Sequence, residues 1–176
     1  MAEIVLCCGK VCSGKSTFTR ILEKEYGFYA FSADEWMLQL YEETEDREVF
    51  ESNLRRCTEL IYRVSENILR KRGDNNVALD FGFWSKEDRK AVARRFGDRG
   101  FAVSTVYFPV AFSQQVSFMK KRQSEAGVNH YAFDRQTIET LNEYFEEPDS
   151  DERCLSTEEY LETLARRAAE KKRSSR

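Results

Sequence analysis

The stretch Gly9-Lys10-Val11-Cys12-Ser13-Gly14-Lys15-Ser16-Thr17 leaves this chain the least freedom in what it can fold into. An apolar run, Ile4 to Cys8, comes before it, and an amphipathic segment opening near Lys15 comes after. The order is strand, glycine loop, helix, with every fixed position of the pattern G-x-x-x-x-G-K-[ST] filled. Backbone N–H groups of such a loop, together with the helix N-terminus, form a positively polarised cradle for phosphate. Gly9 and Gly14 permit backbone angles and close approaches that a Cβ would block. In this pattern Lys15 reaches the β- and γ-phosphates and the Ser16 hydroxyl ligates Mg²⁺, while Cys12, Ser13 and Thr17 complete the loop. The expected ligand is a nucleoside triphosphate with its magnesium ion.

At 176 residues the chain is read as a single domain over 1–176, long enough to bury a real core. A net charge of −3 gives no electrostatic reason to expect a nucleic-acid partner, though it does not exclude a local basic groove. No apolar run approaches the roughly 18 residues of a membrane span. The sequence passes from Met1-Ala2-Glu3 directly into a strand, without the pattern of a signal peptide, so a cytoplasmic protein is expected. The cysteines at 7, 8, 12, 57 and 154 show no C-x-x-C pair and the lone histidine, His130, has no partner cluster, so structural zinc is not expected. Cys7 and Cys8 should point to opposite faces of the first strand as small apolar fillers. Cys12 sits in the phosphate loop because it is small enough for it, with oxidation the lesser alternative.

Along the chain, Phe18, Ile21 and Leu22 stripe a first helix that Gly27 can cap in a left-handed conformation. Phe28 to Phe31 reads as a second strand, followed by a helix with Ser32 as N-cap and Trp36, Met37, Leu40 and Tyr41 on it. The acidic Glu42–Asp46 segment loops. From Arg47 to Arg72 a long helix carries Phe50, Leu54, Cys57, Ile61, Val64 and Ile68 at three-four spacing. Gly73 to Asn76 is a turn, and Val77-Ala78-Leu79-Asp80 a third strand, buried except at its acidic end. Ser85, with Asp88 three residues on, starts a helix that stops at Gly97. Phe101 to Phe108 is a fourth strand, Phe112 to Lys121 a helix, and Gln123 to Tyr131 a polar segment of lid character. A further helix carries Ile138, Leu141 and Phe145, and Thr157 to Lys172 forms the last before a basic tail. After four strong strands, Arg153-Cys154-Leu155 leaves room for no more than a stub.

Strands alternating with helices at these lengths give parallel β-α units with right-handed crossovers. Ligands then bind beyond the carboxyl ends of the strands. The phosphate loop, Asp34 and Asp80 all fall at such ends. Asp80 is placed to hold the metal or its waters, and Asp34 to act as general base on an acceptor hydroxyl. Asp34 also reads as a first-turn carboxylate favoured by the helix dipole. Arg122, after Lys120-Lys121, is a candidate arginine for the leaving phosphates, with a helix C-terminal role as its alternative. Arg135 lies beyond the polar segment, and Arg89, opening the helix after Asp80, could face the acceptor. A guanine-specific site would need [N/T]-K-x-D, which Ser85-Lys86-Glu87-Asp88 only approaches. An oligomeric motor needs more chain than is present.

The loop Gly9–Thr17, Phe31-Ser32-Ala33-Asp34-Glu35, the run Leu79 to Arg89, Lys121-Arg122 and Phe145 to Pro148 with Asp151-Glu152 together resemble the small bacterial kinase-like proteins known as AAA-family ATP-binding proteins. That group is similar to zeta toxins, chloramphenicol phosphotransferase and the kinase module of polynucleotide kinases. The resemblance runs from about Glu3 to Glu152. It implies an α/β, three-layer P-loop NTPase fold of nucleoside-kinase type, with parallel strand order 2-3-1-4-5. It also implies a lid over roughly 120–135, Lys15 and Ser16 as phosphate and Mg²⁺ residues, Asp34 as acceptor base and Arg122 as lid arginine. The adenine of ATP would lie near Phe145 and Pro148. Three departures from that group stand out: Glu147 and Asp149 flank Pro148 where a second proline is usual, Arg122-Gln123 replaces an arginine-asparagine pair, and only Arg153-Cys154-Leu155 stands where a fifth strand is expected.

These readings favour an ATP- and Mg²⁺-dependent kinase acting on a hydroxyl of a small molecule, nucleotide sugar or nucleic-acid end. The alternatives are an ATP-binding regulatory or toxin-like module with little turnover, and a binder of nucleic-acid ends through Lys171-Lys172-Arg173 and Arg176. A short terminal basic run is more often a solvated tail.

Overall fold

The computed structural model describes residues 2–71, 75–124, 131 and 133–174. The chain runs β1 (Glu3–Cys8), α1 (Lys15–Tyr26), β2 (Tyr29–Ser32), α2 (Ala33–Leu40), α3 (Arg47–Leu69), β3 (Val77–Gly82), α4 (Lys86–Gly97), β4 (Ala102–Tyr107), α5 (Phe112–Ser124), α6 (Arg135–Asn142), β5 (Cys154–Leu155) and α7 (Thr157–Ser174). The strands form one parallel sheet in the order β2-β3-β1-β4-β5. This is the α/β fold of nucleoside-kinase type, and the fifth strand is indeed a two-residue stub. Part of the expected turn at 73–76, most of the polar segment with His130, and Arg176 lie outside the described residues.

β1 is buried along its whole length because both of its faces are covered, which is why it reads as an unbroken apolar run. Its side chains alternate. Ile4, Leu6 and Cys8 pack with Ile61 and Leu69 of α3 and Val92 and Phe96 of α4. Val5 and Cys7 pack with Phe18 and Leu22 of α1 and Tyr160 and Leu164 of α7. Cys7 and Cys8 thus fill opposite faces as expected. Glu3 is the exception in this strand. It is buried, and its carboxylate accepts hydrogen bonds from Ser104 Oγ and Arg167 Nη1, both at 2.6 Å.

The caps that set the helix starts are local. Ser32 Oγ accepts from the Glu35 N–H at 3.3 Å and Ser85 Oγ from the Asp88 N–H at 3.0 Å. Gly27 closes α1 at φ 70°. Asp46 and Asp134 cap α3 and α6 in the same way as the serines. Helix α3 carries its whole apolar stripe and ends at Leu69, short of the expected Arg72, and α5 runs on to Ser124.

Two expectations need correcting. The acidic end of β3 is not exposed: Asp80 is 9% exposed, enclosed because the phosphate loop folds over the strand's end. Nor does Arg89 face an acceptor. It is 3% exposed and its guanidinium takes both Glu152 oxygens, at 2.7 and 2.8 Å. It also donates to the carbonyls of Phe83 and Glu146, each at 2.9 Å. Arg89 therefore ties α4, the end of β3 and the 145–152 return together. Lys86 reinforces the tie by pairing with Asp149 and, at 3.1 Å, with Asp151.

Candidate active site

The phosphate loop hangs between the ends of two strands. Gly9 N–H donates to the Gly82 carbonyl and Phe108 N–H to the Cys8 carbonyl, both at 2.9 Å. A Cβ on Gly9 would stand 2.8 Å from Ser13 Oγ and 2.9 Å from Phe108 Cβ, so this glycine is required by space. Cys12 and Gly14 are both left-handed, at φ 54° and 96°. Left-handed residues of this kind bend the chain so that successive N–H groups gather on a concave side. Lys15 is 9% exposed and its ammonium donates to the carbonyls of Gly9 at 2.9 Å and Lys10 at 2.7 Å. Held there, it stiffens the loop around the position a phosphate would take.

Two residues to which sequence reasoning gave no role, one outside the loop and one within it, tie the loop to its surroundings. Gln115 of α5, 1% exposed, donates to the Val11 carbonyl at 2.9 Å and to Asn142 Oδ1 of α6 at 3.1 Å. Lys10 reaches Glu147 at 3.5 Å and lies 5.7 Å from the centre of the Phe145 ring. A glutamine on a helix carries no sequence signal of this kind; its burial alone reveals it.

Ser16 and Asp80 meet directly, Ser16 Oγ donating to Asp80 Oδ2 at 2.6 Å. A hydroxyl and a carboxylate, both hard oxygen donors, suit Mg²⁺, which keeps several waters and needs few protein ligands. Among the described residues no group of three or more His, Cys, Asp or Glu side chains could hold a metal alone, so a metal here would depend on phosphate oxygens as well.

Asp34, in the first turn of α2, opens onto the same space and is reachable from solvent through its mouth. Even so, desolvation by the surrounding protein raises its pKa above the usual carboxylate value. The nearby charge of Asp80 raises it further, and Lys15 and Arg122 pull it down. A carboxylate shifted in this direction is a better proton acceptor than a free one. Arg122 near the end of α5 hydrogen-bonds the Cys12 side chain, and burial raises the Cys12 pKa against that pull.

Cys12, Lys15, Ser16, Asp34, Asp80 and Arg122 line one cavity of about 1720 Å³, whereas Gly9, Lys10 and Gln115 are not part of its lining. A site for one small ligand usually has 300–1,000 Å³, so this cleft has room for two. Cys12, Ser13, Gly14, Lys15, Ser16, Thr17, Asp34, Asp80 and Arg122 are brought together along its wall. Pro148 and Phe145 do not line it: Pro148 is half-buried on the return segment, and Phe145 stacks on Tyr107 at 6.3 Å and 8°. Arg135 lies exposed, 5.0 Å from the Phe112 ring and paired with Glu139. The first half of the α3 stripe, Phe50 and Leu54, is cavity wall, whereas Cys57 and Ile61 are fully buried.

Among the described residues no helix is long and apolar enough to cross a membrane. A family model described as an AAA domain matches residues 4–148. No curated protein matches the chain by sequence. Among solved structures, a gluconokinase from Sinorhizobium meliloti 1021 is similar at TM-score 0.60 and 17% identity, over 99% of this chain and 98% of that one. Kti12 from Chaetomium thermophilum, solved with ADP-AlF3, is similar at TM-score 0.60 and 16% identity, over 85% of this chain and 84% of that one. A chain of the Pnkp1/Rnl/Hen1 RNA repair complex is similar at TM-score 0.62 and 18% identity, over 81% of this chain and 43% of that one. At these identities the likeness is one of fold. With the match over residues 4–148 and the phosphate loop built as described, the chain belongs to the AAA domain family, as a small P-loop kinase-like ATP-binding protein.

Proposed function

We propose that the protein is an ATP- and Mg²⁺-dependent kinase that transfers the γ-phosphoryl group to a hydroxyl of an acceptor. The observation that carries this reading is the meeting of Asp34, Asp80, Ser16, Lys15 and Arg122 in one cavity with room for two ligands. The raised pKa of Asp34 beside the phosphate loop suits a base for the acceptor hydroxyl and supports transfer over nucleotide binding alone.

In this reading the loop N–H groups and Lys15 hold the donor phosphates. Lys15 exchanges its bonds to the Gly9 and Lys10 carbonyls for phosphate oxygens. Ser16 and Asp80 would hold magnesium, which when bound neutralises phosphate charge. Asp34 accepts the proton of the acceptor hydroxyl, and Arg122 offsets charge that develops on the transferring group.

The test is ATP turnover across a panel of hydroxyl acceptors, with the natural chain and with Asp34→Asn. Transfer that Asp34→Asn lowers by about a hundred- to ten-thousand-fold supports the reading. Tight MgATP binding with no transfer to any acceptor would favour a regulatory module instead. Transfer unaffected by Asp34→Asn would remove Asp34 as the base.

A further inference from the structure

The charges along the cavity wall are sorted by element. Its described basic residues are Lys15 and Arg20 of α1, Lys121 and Arg122 of α5, and a single one, Arg55, on the far side. The segments that face the phosphate loop across the cavity contribute acids instead: Glu35 of α2, Glu42 and Glu43 of the loop after it, Glu59 of α3 and Asp88 of α4. Only Glu59 of these has an ion-pair partner among the described residues, Arg95 at 2.5 Å.

The same side is aromatic. Phe81 stacks on Phe83 at 5.6 Å and 24°, and Tyr62 lies 5.7 Å from Phe81. Phe50 and Tyr131 meet edge to face at 6.2 Å nearer the mouth, and Trp84 also lines the wall. Behind Tyr62 the Arg95 guanidinium sits 4.9 Å from the ring, but it is spent on Glu59 and Glu66 and does not line the cavity.

An acceptor that already carries phosphate needs cationic or N–H partners for it, since a buried anion without them is costly. The α2–α3–α4 side offers Arg55 against six carboxylates, Asp34 included, of which Glu59 is already paired with Arg95. Aromatic faces, in contrast, favour planar apolar bodies, and attract cations through their quadrupoles. Resting on the kinase reading above, we propose that the acceptor is an aromatic alcohol without anionic groups, neutral or amine-bearing. Sugar phosphates, nucleotides and nucleic-acid ends would find one cation, Arg55, on this half and are disfavoured there by charge. The transfer balances simply: the acceptor oxygen bonds to the γ-phosphorus, the bridging bond to ADP breaks, and the hydroxyl proton goes to Asp34.

The test uses phenylethanol and phenylethanolamine against a hexose phosphate and a short oligonucleotide with a hydroxyl end. Binding is read by tryptophan fluorescence, and phosphoryl transfer separately with MgATP. The aromatic alcohols should bind at least about tenfold more tightly than the anionic probes, with the amine-bearing one weakening as salt rises. Tyr62→Ala should lower that affinity. Asp88→Lys, at an exposed position on the wall, should lower it for phenylethanolamine and raise it for the hexose phosphate. Tighter aromatic binding that Tyr62→Ala weakens supports this inference about what the half recognises, whereas absence of transfer to every alcohol of the wider acceptor panel would overturn the kinase reading separately. Transfer to the hexose phosphate or the oligonucleotide supports the kinase reading and overturns this inference, as does failure of both aromatic probes to bind.

Discussion

Ser16 and Asp80 lie 64 residues apart in sequence, yet the Ser16 hydroxyl donates to the Asp80 carboxylate at 2.6 Å. The bond joins the first turn of α1 to β3, on opposite sides of the phosphate loop. It also fixes two oxygen donors where the donor's magnesium would be held. Ser16→Ala and Asp80→Asn should each weaken MgADP binding by at least about tenfold while changing magnesium-free ADP binding much less. Calorimetric titration with and without magnesium checks this. Equal losses in both conditions would mean that the pair serves the loop's shape and not the metal.

Asp34 should trade stability for activity. Desolvation by the surrounding walls and the charge of Asp80 raise its folded pKa, so over the range between its unfolded and folded values the native state binds more protons than the unfolded state. Its unfavourable contribution is absent below the unfolded pKa of about 3.9 and grows as pH rises through the folded value. Asp34→Asn should therefore raise Tm at neutral pH and lose that advantage in acid, while transfer falls. Thermal denaturation at the two pH values measures it; an equal effect at both would mean that the change acts through packing.

The phosphate-loop side of the candidate site was legible in the sequence because its geometry is local. Gly9 to Thr17 carries its own geometry, and the strand ends bring Asp34 and Asp80 beside it by topology alone. What stayed hidden was of another kind. Phe50 and Leu54 continue the helical stripe of Cys57 and Ile61, and apolar periodicity cannot separate a cavity wall from a core. Arg89 looked like a site residue because it follows Asp80, but its partner Glu152 is 63 residues away, and only the fold pairs them. Gln115 gave no signal because an amide acquires its meaning only on burial.

The Arg89–Glu152 pair predicts a structural effect. Both side chains are at most 9% exposed, and removing one leaves the other charge buried and unpaired, at a cost of about 3–5 kcal/mol. Glu152→Ala should lower Tm by about 10 °C. Arg89 also holds the Glu152 pKa below the usual range. The pair's stabilisation is thus fully present above the unfolded Glu pKa of about 4.3 and is lost as pH falls through the lower folded value. The Tm difference between the natural chain and Glu152→Ala should narrow over that acid window; a constant difference would assign the loss to something other than the carboxylate's charge.

Gly82 couples the backbone at the end of β3 to Trp84. It is left-handed at φ 81°, and a Cβ there would lie 2.4 Å from Trp84 Nε1 and 2.7 Å from its Cδ1. Gly100 has nearly the same backbone, φ 82°, with nothing within 4 Å of the Cβ position. Gly100→Ala therefore measures the conformational term alone, about 1–2 kcal/mol. Gly82→Ala should cost more, because the indole must also leave its place on the cavity wall. If that displacement is the cause, Trp84→Ala removes the obstacle, and the Gly82→Ala/Trp84→Ala pair should destabilise by less than the sum of the single changes. Chemical denaturation of the four variants and the natural chain settles the sign. Strict additivity would place the requirement for glycine in the backbone, and leave Trp84 free of it.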